Sequence, residues 1–204
     1  MNHDSTMAGI PIQPKSTLQS FSMIGGGKKE NRKENDFYPT PPNVTHALMK
    51  FLHSECDFIF DHALKIHEPA CGSGEMSEAI KSYGHDVYSS DINTEYGEVA
   101  NFLDPSENLW FGFDAIITNP PFNLSEPFIN KALNEARIVC MLLKSHYWHA
   151  KKRFELFERN TPKFILLLTW RPDFDGRGAP TMDLLWTVWI KGYGEGCKYK
   201  PLTK

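Results

Sequence analysis

The sequence predicts a single α/β domain built on a mostly parallel β-sheet, and three observations lead to this class. Short apolar segments of strand type alternate with segments of helical periodicity, which is the pattern of βαβ units with helices on both faces. The chain of 204 residues, 41% of them hydrophobic, has the length and apolar content of one such domain. The last two strand segments are separated only by a loop, which predicts an antiparallel hairpin at one end of the sheet.

The chain is predicted to begin with a tail. Residues 1–36 mix proline, serine, glycine and charged residues without apolar periodicity, so we expect them to be flexible. Order is expected over residues 37–204, as one domain. Pro41 and Pro42 suit the first turn of a helix, and apolar residues recur after them at helical spacing as far as Leu52.

The remaining elements follow from local patterns. Seven strands are expected from short apolar segments bounded by turn residues, at 64–68, 86–90, 98–102, 114–118, 137–143, 164–170 and 184–190. One helix is expected at about 75–83, with Gly84 at its C-cap, and another at 125–135, with Ser125 as its N-cap and Pro127 in its first turn. A basic amphipathic helix is expected at about 149–158.

Charge is distributed unevenly along the chain. The formal net charge is −3, but residues 37–143 carry 5 Lys and Arg against 15 Asp and Glu, whereas residues 144–204 carry 12 against 6. The acidic part is a poor surface for nucleic acid, and the basic final third could face a phosphate backbone. An ordinary solvated, lysine-rich surface would give the same composition.

Composition also bounds the compartment and the cofactors. No apolar run approaches the roughly 18 residues of a membrane span, and the N-terminus lacks the basic start and apolar stretch of a secretory signal. The four cysteines form no Cys-x-x-Cys pair and the histidines show no ligand grouping, so neither a metal site nor a disulfide framework is predicted. We therefore expect a protein of the reducing cytoplasm.

The tetrapeptide Asn119-Pro120-Pro121-Phe122 ends the predicted strand at 114–118. Because proline lacks the N–H that a sheet ladder needs, the chain must leave the sheet here in a stiff, extended conformation. An amide side chain and a backbone carbonyl then stand at the strand's carboxyl end, beside an aromatic ring. Two oxygen acceptors next to a ring could hold a planar exocyclic amine, although a strand that simply ends in a Pro-Pro turn remains the alternative.

A glycine-containing turn follows the predicted strand at 64–68. That strand ends in Glu68, and Gly72 and Gly74 precede the next helix. Glycines at such a turn let a ligand approach the backbone closely. A dinucleotide site would need a third glycine where Ser77 stands, and the acidic Glu68 suits an amine-bearing ligand better than a pyrophosphate. A tight turn without a ligand is the alternative.

An acidic residue closes the next predicted strand. Asp91 lies 17 residues after Gly74, and a carboxylate there can accept hydrogen bonds from both hydroxyls of a ribose. Taken alone, an aspartate at this position is more often a helix N-cap or a turn former. Together with Glu68 and the glycine turn, the ribose role is favoured.

These segments, in this order, resemble the motifs of class I S-adenosylmethionine-dependent methyltransferases, specifically those that methylate adenine N6 in DNA. The matching segments are Phe37-Tyr38-Pro39-Thr40-Pro41-Pro42, Glu68-Pro69-Ala70-Cys71-Gly72-Ser73-Gly74, Asp91-Ile92 and Asn119-Pro120-Pro121-Phe122. Residues 171–176 and 186–189 also resemble small phage and prophage members. The resemblance implies a Rossmann-like fold with a seven-stranded sheet, and S-adenosylmethionine as the methyl donor.

The resemblance also implies roles for individual residues. Cofactor contacts are implied for Tyr38, Thr40, Pro41, Glu68, Pro69, Ala70, Gly72, Gly74, Asp91, Ile92, Asn101 and Phe102. Where the family often has an aspartate for the cofactor's adenine amine, this chain has Asn101, and Asp104 could substitute for it. The Asn119 side-chain oxygen and the Pro120 carbonyl would accept hydrogen bonds from the target amine, with Phe122 stacking on a base that has left the duplex.

The resemblance makes DNA the expected partner and leaves the target sequence open. Contacts with the substrate are expected from the basic final third, at His146, Lys151, Arg171 and Arg177. Because no separate target-recognition domain is expected, specificity should be relaxed, or a protein partner or a homodimer should supply it. An RNA amine or a protein glutamine amide is the alternative substrate, and a non-catalytic cofactor-binding subunit is the alternative of another class.

Overall fold

The computed structural model describes residues 39–93, 96–106, 112–194 and 196–204, which belong to one compact unit. These residues form a mixed sheet with helices on both faces. The helices are α1 Pro42–Glu55, α2 Asp57–Phe60, α3 Glu75–Lys81, α4 Ser125–Glu135 and α5 Phe154–Arg159. The strands are β1 Lys65–Glu68, β2 Asp86–Asp91, β3 Glu98–Val99, β4 Ala115–Thr118, β5 Ile138–Lys144, β6 Phe164–Leu168, β7 Leu184–Ile190 and β8 Lys198–Leu202.

The strand order across the sheet is β3-β2-β1-β4-β5-β7-β6-β8. Strands β1 to β5 are mutually parallel, and β7 runs antiparallel between β5 and β6. The chain builds outward from β1 to β3, then returns to place β4 on the other side of β1. The strand order therefore reverses between β1 and β4, and in open α/β sheets ligands bind at the carboxyl ends of the strands beside such a reversal.

The predicted fold class and the antiparallel hairpin are confirmed, and the strand count is corrected from seven to eight. The unpredicted strand is β8, which pairs in parallel with β6 at the edge of the sheet. Its sequence gives little strand signal, because lysines and Pro201 occupy most positions and only Leu202 is buried. Lysine and proline are typical of edge strands that avoid pairing with other chains.

Other details also differ from expectation. Helix α3 ends at Lys81 with Ser82 as its C-cap, so Gly84 is not the cap. The basic helix predicted at about 149–158 is a pair of 3₁₀ turns, at Ser145–His149 and Lys151–Arg153, followed by the short α5. Ser125 is not an N-cap, because the 3₁₀ turn Phe122–Leu124 leads directly into α4 and the Ser125 hydroxyl donates to the Phe122 carbonyl at 3.1 Å. The predicted tail at residues 1–36 lies outside the described residues.

The core has two parts, one on each face of the sheet. Helices α1, α2 and α3 cover one face, where Ile117 and Trp186 are fully buried. Helix α4 covers the other face, against Ile116 and Phe102. Successive residues of β4 point to opposite faces, so this central strand contributes to both parts. The indole of Trp186 donates a hydrogen bond to the Val44 carbonyl at 3.2 Å and so fixes the start of α1 to the sheet.

A fully buried histidine stands in the second core part. His67 of β1 packs against the ring of Phe113, with ring centroids 5.1 Å apart, and its Nε2 lies 2.9 Å from the Ser90 hydroxyl. Burial, with a smaller contribution from Lys131, lowers the pKa of His67 to about 3.

In the described residues, no helix is both long and apolar enough to cross a membrane.

We predict that His67 makes the protein less stable at mildly acidic pH. Below the ordinary histidine pKa of about 6.5 the unfolded chain binds a proton that the folded chain excludes, so the free energy of unfolding falls as the pH is lowered. Between pH 7 and pH 5 this one residue should remove roughly 2 kcal/mol. Denaturant titrations at several pH values should show that the free energy of unfolding depends less on pH in His67→Gln than in the wild-type protein. The same dependence of that free energy on pH in both proteins would contradict the prediction.

Candidate functional site

A cavity of about 310 Å³ lies at the carboxyl edge of the sheet, where the strand order reverses. The ends of β1, β2 and β4, the segment 101–103 and the chain before α1 contribute its walls. The lining residues are Pro39, Thr40, Glu68, Pro69, Ala70, Cys71, Gly72, Glu75, Met76, Asp91, Ile92, Asn93, Asn101, Phe102, Leu103, Asn119, Pro120, Pro121, Phe122, Leu124 and Phe128. The motifs that the sequence singled out thus meet around one volume.

The two glycines of the turn after β1 have different roles. Gly72, with φ of 53°, lines the cavity, and its N–H donates to Asp91 Oδ2 at 2.9 Å. Gly74, with φ of 89°, is not among the lining residues, and a Cβ at this position would overlap the ring of Tyr96. The sequence predicted that both glycines make room for a ligand. In the structure, a glycine is needed at position 74 because Tyr96, in the connection between β2 and β3, packs closely against it.

Asp91 holds the walls of the cavity together. Its Oδ2 accepts the Gly72 N–H, and its Oδ1 accepts both the backbone N–H and the side-chain NH₂ of Asn93, each at 3.0 Å. A carboxylate offers about four acceptor positions, so Asp91 can accept one further hydrogen bond without losing these three. Accepting two hydroxyl groups would require the Asn93 side chain to move.

Glu68 is the deepest carboxylate of the cavity and is only 2% exposed. The Ser77 hydroxyl donates to its Oε2, and Ser77 in turn lies 2.5 Å from the Ser89 hydroxyl. Burial raises the pKa of Glu68 well above its ordinary value; the hydrogen bonds from Ser77 oppose this rise, and the carboxylate of Glu75 reinforces it. A positively charged ligand would favour the ionised form.

The described residues that line the cavity make it acidic. Glu68, Glu75 and Asp91 carry carboxylates, and none of the described lining residues is a lysine, arginine or histidine. Negative charge without a protein counter-ion favours a cationic ligand. Apolar walls are provided by Ile92, which is 57% exposed, and by Phe102, which packs against Phe128 with centroids 5.0 Å apart.

The side chain of Asn119 is held at one end and unpaired at the other. Its Nδ2 donates to the Thr40 hydroxyl oxygen at 3.1 Å. Its Oδ1 is buried and accepts no hydrogen bond from any described residue. A buried amide oxygen without a donor costs free energy and is uncommon in folded proteins. The Asn119 oxygen is therefore open to a donor that the described residues do not supply.

The prolines after Asn119 determine where Phe122 stands. Pro121 is extended, with φ of −50° and ψ of 125°, and the Leu124 N–H then closes a 3₁₀ turn onto its carbonyl at 2.8 Å. This turn places the Phe122 ring in the cavity wall, with the ammonium group of Lys144 at 4.0 Å from the ring centroid. Lys144 is the last residue of β5. Its contact with the Phe122 ring was not predictable from the sequence, because the contact depends on β5 lying beside β4.

The structure also bears on the choice between Asn101 and Asp104. Asn101 lines the cavity, and its Oδ1 accepts the Leu103 N–H at 3.1 Å. Asp104 is not in the lining, and its Oδ1 accepts from the backbone and hydroxyl of Ser106 at 2.8 and 2.6 Å. Asn101 is therefore the better placed of the two for a ligand in this cavity.

Most of the other predicted site residues meet in the cavity. Tyr38 lies outside the described residues, and Pro41 is not among the lining residues because it forms the N-cap of α1. Sequence reasoning missed Pro39, Cys71, Glu75, Met76, Asn93, Leu103, Leu124 and Phe128. All but Phe128 lie within two residues of a predicted one, so proximity in sequence was the available signal. Phe128 is one helical turn into α4 and carried no signal of its own.

None of the four residues expected to contact a substrate is among the lining residues of the cavity. His146 and Lys151 are exposed in the 3₁₀ turns after β5. Arg171 donates through Nε to Asp183 at 2.7 Å, so part of its donor set is engaged. Arg177 is exposed in a loop whose backbone is fastened by the Asp173 carboxylate.

No protein-family model and no curated protein matches the chain, but solved structures share its fold. A protein from Pyrococcus horikoshii, provisionally assigned as an RNA methyltransferase, is 17% identical with a TM-score of 0.58, over 75% of this chain and 86% of that one. A provisionally assigned class I S-adenosylmethionine-dependent methyltransferase from Listeria monocytogenes is 14% identical with a TM-score of 0.55, over 80% and 65%.

A third similar structure is the DrdV–DNA complex, which is 12% identical with a TM-score of 0.56. The alignment covers 82% of this chain and 28% of the DrdV chain, so the present chain corresponds to a small part of that protein. At these identities the likeness concerns the fold. The chain has the α/β, Rossmann-like fold of class I methyltransferases.

We predict that Gly74→Ala destabilises the protein more than Gly84→Ala. Both glycines have φ near 90°, at 89° and 85°, so alanine incurs about 1–2 kcal/mol of backbone strain at either position. Only at Gly74 does the new Cβ also overlap a side chain, that of Tyr96, whereas nothing lies within 4 Å of a Cβ at Gly84. Denaturant midpoints measure the difference, which should disappear in a Tyr96→Ala background. Equal losses in the wild-type background would show that the Tyr96 contact does not constrain Gly74.

Proposed function

We propose that the protein is an S-adenosylmethionine-dependent methyltransferase that acts on the exocyclic N6 amine of adenine in DNA. The observation that carries the proposal is the buried Asn119 Oδ1, which has no donor among the described residues. It stands beside the Phe122 ring in a cavity lined by three carboxylates. An unpaired acceptor, an aromatic ring and an acidic ligand cavity together match an amine substrate and a cationic methyl donor.

The cavity fits S-adenosylmethionine in size, charge and polarity. Its volume of about 310 Å³ lies within the range of small-molecule sites. When bound, S-adenosylmethionine supplies an electrophilic methyl group on a positively charged sulfur. Glu68 would hold the ammonium of the amino-acid portion, and Gly72 and Thr40 would border that portion. Asp91 would accept from the ribose, while Ile92 and Phe102 would enclose the adenine, with Asn101 at its edge.

The residues after β4 would bind and orient the target amine. Asn119 Oδ1 and the Pro120 carbonyl would each accept one hydrogen bond from the amine. These two hydrogen bonds would draw the amine nitrogen toward sp³ geometry and expose its lone pair. No strong base is required, because the proton can leave after the nitrogen has been methylated. The protein's contribution would then be positioning and fixed dipoles, which need no rearrangement during the reaction.

Two features favour a nucleobase over a glutamine amide. The Phe122 ring offers a flat surface on which a base outside the helical stack can lie. The segment 144–153, which begins at the last residue of β5, contains Lys144, Lys151, Lys152 and Arg153 and no acidic residue. Its shape is fixed by Arg153, whose guanidinium lies 3.6 Å above the Tyr147 ring and donates to the Tyr147 carbonyl at 2.7 Å. Basic groups on a fixed frame beside the site suit a phosphate backbone.

The sequence motifs favour DNA adenine as the acceptor, and the DrdV–DNA neighbour is consistent with it. An amine in RNA is the second candidate, because the neighbour from Pyrococcus horikoshii is provisionally assigned as an RNA methyltransferase. The two candidates use the same atoms of Asn119 and Pro120, so the acceptor must be identified directly.

We predict that the protein transfers the methyl group of tritiated S-adenosylmethionine to DNA, and that hydrolysis to nucleosides yields N6-methyladenine. Asn119→Ala should reduce transfer by at least 100-fold, because the oriented acceptor is lost. Its affinity for S-adenosylmethionine should change less than threefold by calorimetry. Asn130→Ala, on the exposed side of α4, is the matched control. Label in RNA or protein but not in DNA would refute the DNA assignment.

A second prediction concerns the pH dependence of cofactor affinity. Because burial raises the pKa of Glu68, this carboxyl holds its proton to higher pH than an ordinary glutamate does, and an ammonium ligand must displace that proton. The affinity of the wild-type protein for S-adenosylmethionine should therefore rise with pH as the Glu68 carboxyl ionises, with release of a proton on binding at any pH where the free carboxyl is protonated. Glu68→Gln should bind roughly tenfold more weakly, with little dependence on pH. Calorimetry in two buffers of different ionisation enthalpy measures the released proton, and parallel pH profiles for both proteins would contradict the assignment.

A further inference from the structure

We propose that Thr40 is a positioning residue of this site, which acts through Asn119. Its hydroxyl oxygen holds the NH₂ group of the Asn119 amide and so directs the amide oxygen toward the reacting amine. This inference rests on the proposed function and adds to it. The sequence placed Thr40 only beside the methyl donor, whereas the structure also bonds it to the residue that would bind the amine.

The contact joins two parts of the chain that are 79 residues apart. Thr40 is 6% exposed and lies between Pro39 and Pro41, whose rings restrict the backbone on both sides. The Pro41 carbonyl accepts the Val44 N–H at 2.9 Å in the first turn of α1. The hydroxyl of Thr40 is therefore carried on a stiff segment that is packed against the sheet through α1.

The hydrogen bond decides which end of the Asn119 amide faces the substrate. The two ends have nearly the same shape, so packing alone selects neither. In the observed orientation the NH₂ group donates to Thr40, and a single oxygen remains unpaired among the described residues. In the reversed orientation the amide oxygen would accept from the Thr40 hydroxyl, and the buried NH₂ group would be left without an acceptor among the described residues. Buried N–H groups without an acceptor are rarer than unpaired oxygens. Thr40 therefore favours the orientation that an amine substrate needs.

The reversed amide would oppose the reaction. It would present hydrogens to the hydrogens of the target amine, which would weaken binding and leave the lone pair of the nitrogen undirected. Without the Thr40 hydroxyl the Asn119 amide is free to turn, so aligning its oxygen in the transition state costs the free energy that this hydrogen bond otherwise provides. One neutral hydrogen bond corresponds to a bias of roughly three- to tenfold. The loss should appear in kcat, because it concerns alignment of a substrate that is already bound.

The chain offers a matched control for the same chemical change. Thr45 of α1 is fully buried, and its hydroxyl has no hydrogen-bond partner among the described residues. Thr40→Val and Thr45→Val both replace a buried hydroxyl by a methyl group, five positions apart. Thr40→Ser removes the methyl group and keeps the hydroxyl. An effect seen in Thr40→Val but not in Thr40→Ser or Thr45→Val therefore comes from loss of the Thr40 hydroxyl and not from a change in packing.

The kinetic test measures kcat, the KM for the nucleic acid and the affinity for S-adenosylmethionine. Thr40→Val should lower kcat by roughly three- to tenfold, with both other quantities within twofold of wild type. Thr40→Ser should restore most of kcat, and Thr45→Val should behave as wild type. Weaker cofactor binding with an unchanged kcat would show that Thr40 only contacts the methyl donor, and would overturn the inference.

A second measurement does not depend on activity. The side-chain NH₂ signals of Asn119, assigned by their loss in Asn119→Ala, should exchange slowly with water in the wild-type protein and in Thr40→Ser and Thr45→Val. They should exchange several-fold faster in Thr40→Val. Equal exchange in Thr40→Val and wild type would overturn the inference whatever the activity. A wild-type protein that methylates no acceptor, yet shows this exchange pattern, would refute the proposed function and leave the role of Thr40 in place.

Discussion

The position at which β4 stops determines the rest of the site. Pro120 and Pro121 have no N–H, so the ladders that β4 forms with β1 and β5 cannot continue past Thr118. The chain therefore leaves the centre of the sheet beside the reversal of strand order, where the ends of β1 and β2 already bring Glu68 and Asp91 together. An acceptor on Asn119 and an acidic cavity become neighbours because this strand is interrupted at this place.

The strand order places the strands of the acidic part and those of the basic part of the sequence largely in different halves of the sheet. Strands β1 to β4, which come from the acidic part of the sequence, occupy one half of the sheet, and β6 to β8, which come from the basic part, lie in the other half. The segment after β4 lies where the two halves meet, and the contact between Phe122 and Lys144 crosses that boundary. On the proposed function, the acidic cavity would take the cationic methyl donor, and the basic segment that begins at Lys144 would face the phosphate backbone.

Sequence reasoning predicted what local patterns encode. Helix α4 and strand β7 have the predicted limits, because α4 carries apolar residues at helical spacing and β7 is a nearly continuous apolar run. Strand β8 escaped because its place is set by pairing with β6, including the Thr169 N–H bond to the Leu202 carbonyl at 3.2 Å, rather than by apolar residues. Chemically distinctive residues of the site were likewise predictable. The contacts of Thr40 with Asn119 and of Gly74 with Tyr96 were not, because they depend on which distant segments pack together.

The two polar side chains that matter most here are built in the same way. One carboxylate oxygen of Asp91 accepts a hydrogen bond from Gly72 and the other accepts from Asn93. The NH₂ group of Asn119 donates a hydrogen bond to Thr40. In each case an internal hydrogen bond fixes the side chain and leaves an acceptor position for a ligand. Fixing a dipole before the ligand arrives removes the cost of orienting it during the reaction. On the proposed function, the free energy lost by burying an Asn119 oxygen that no described residue pairs is the stability that the fold gives up for this acceptor.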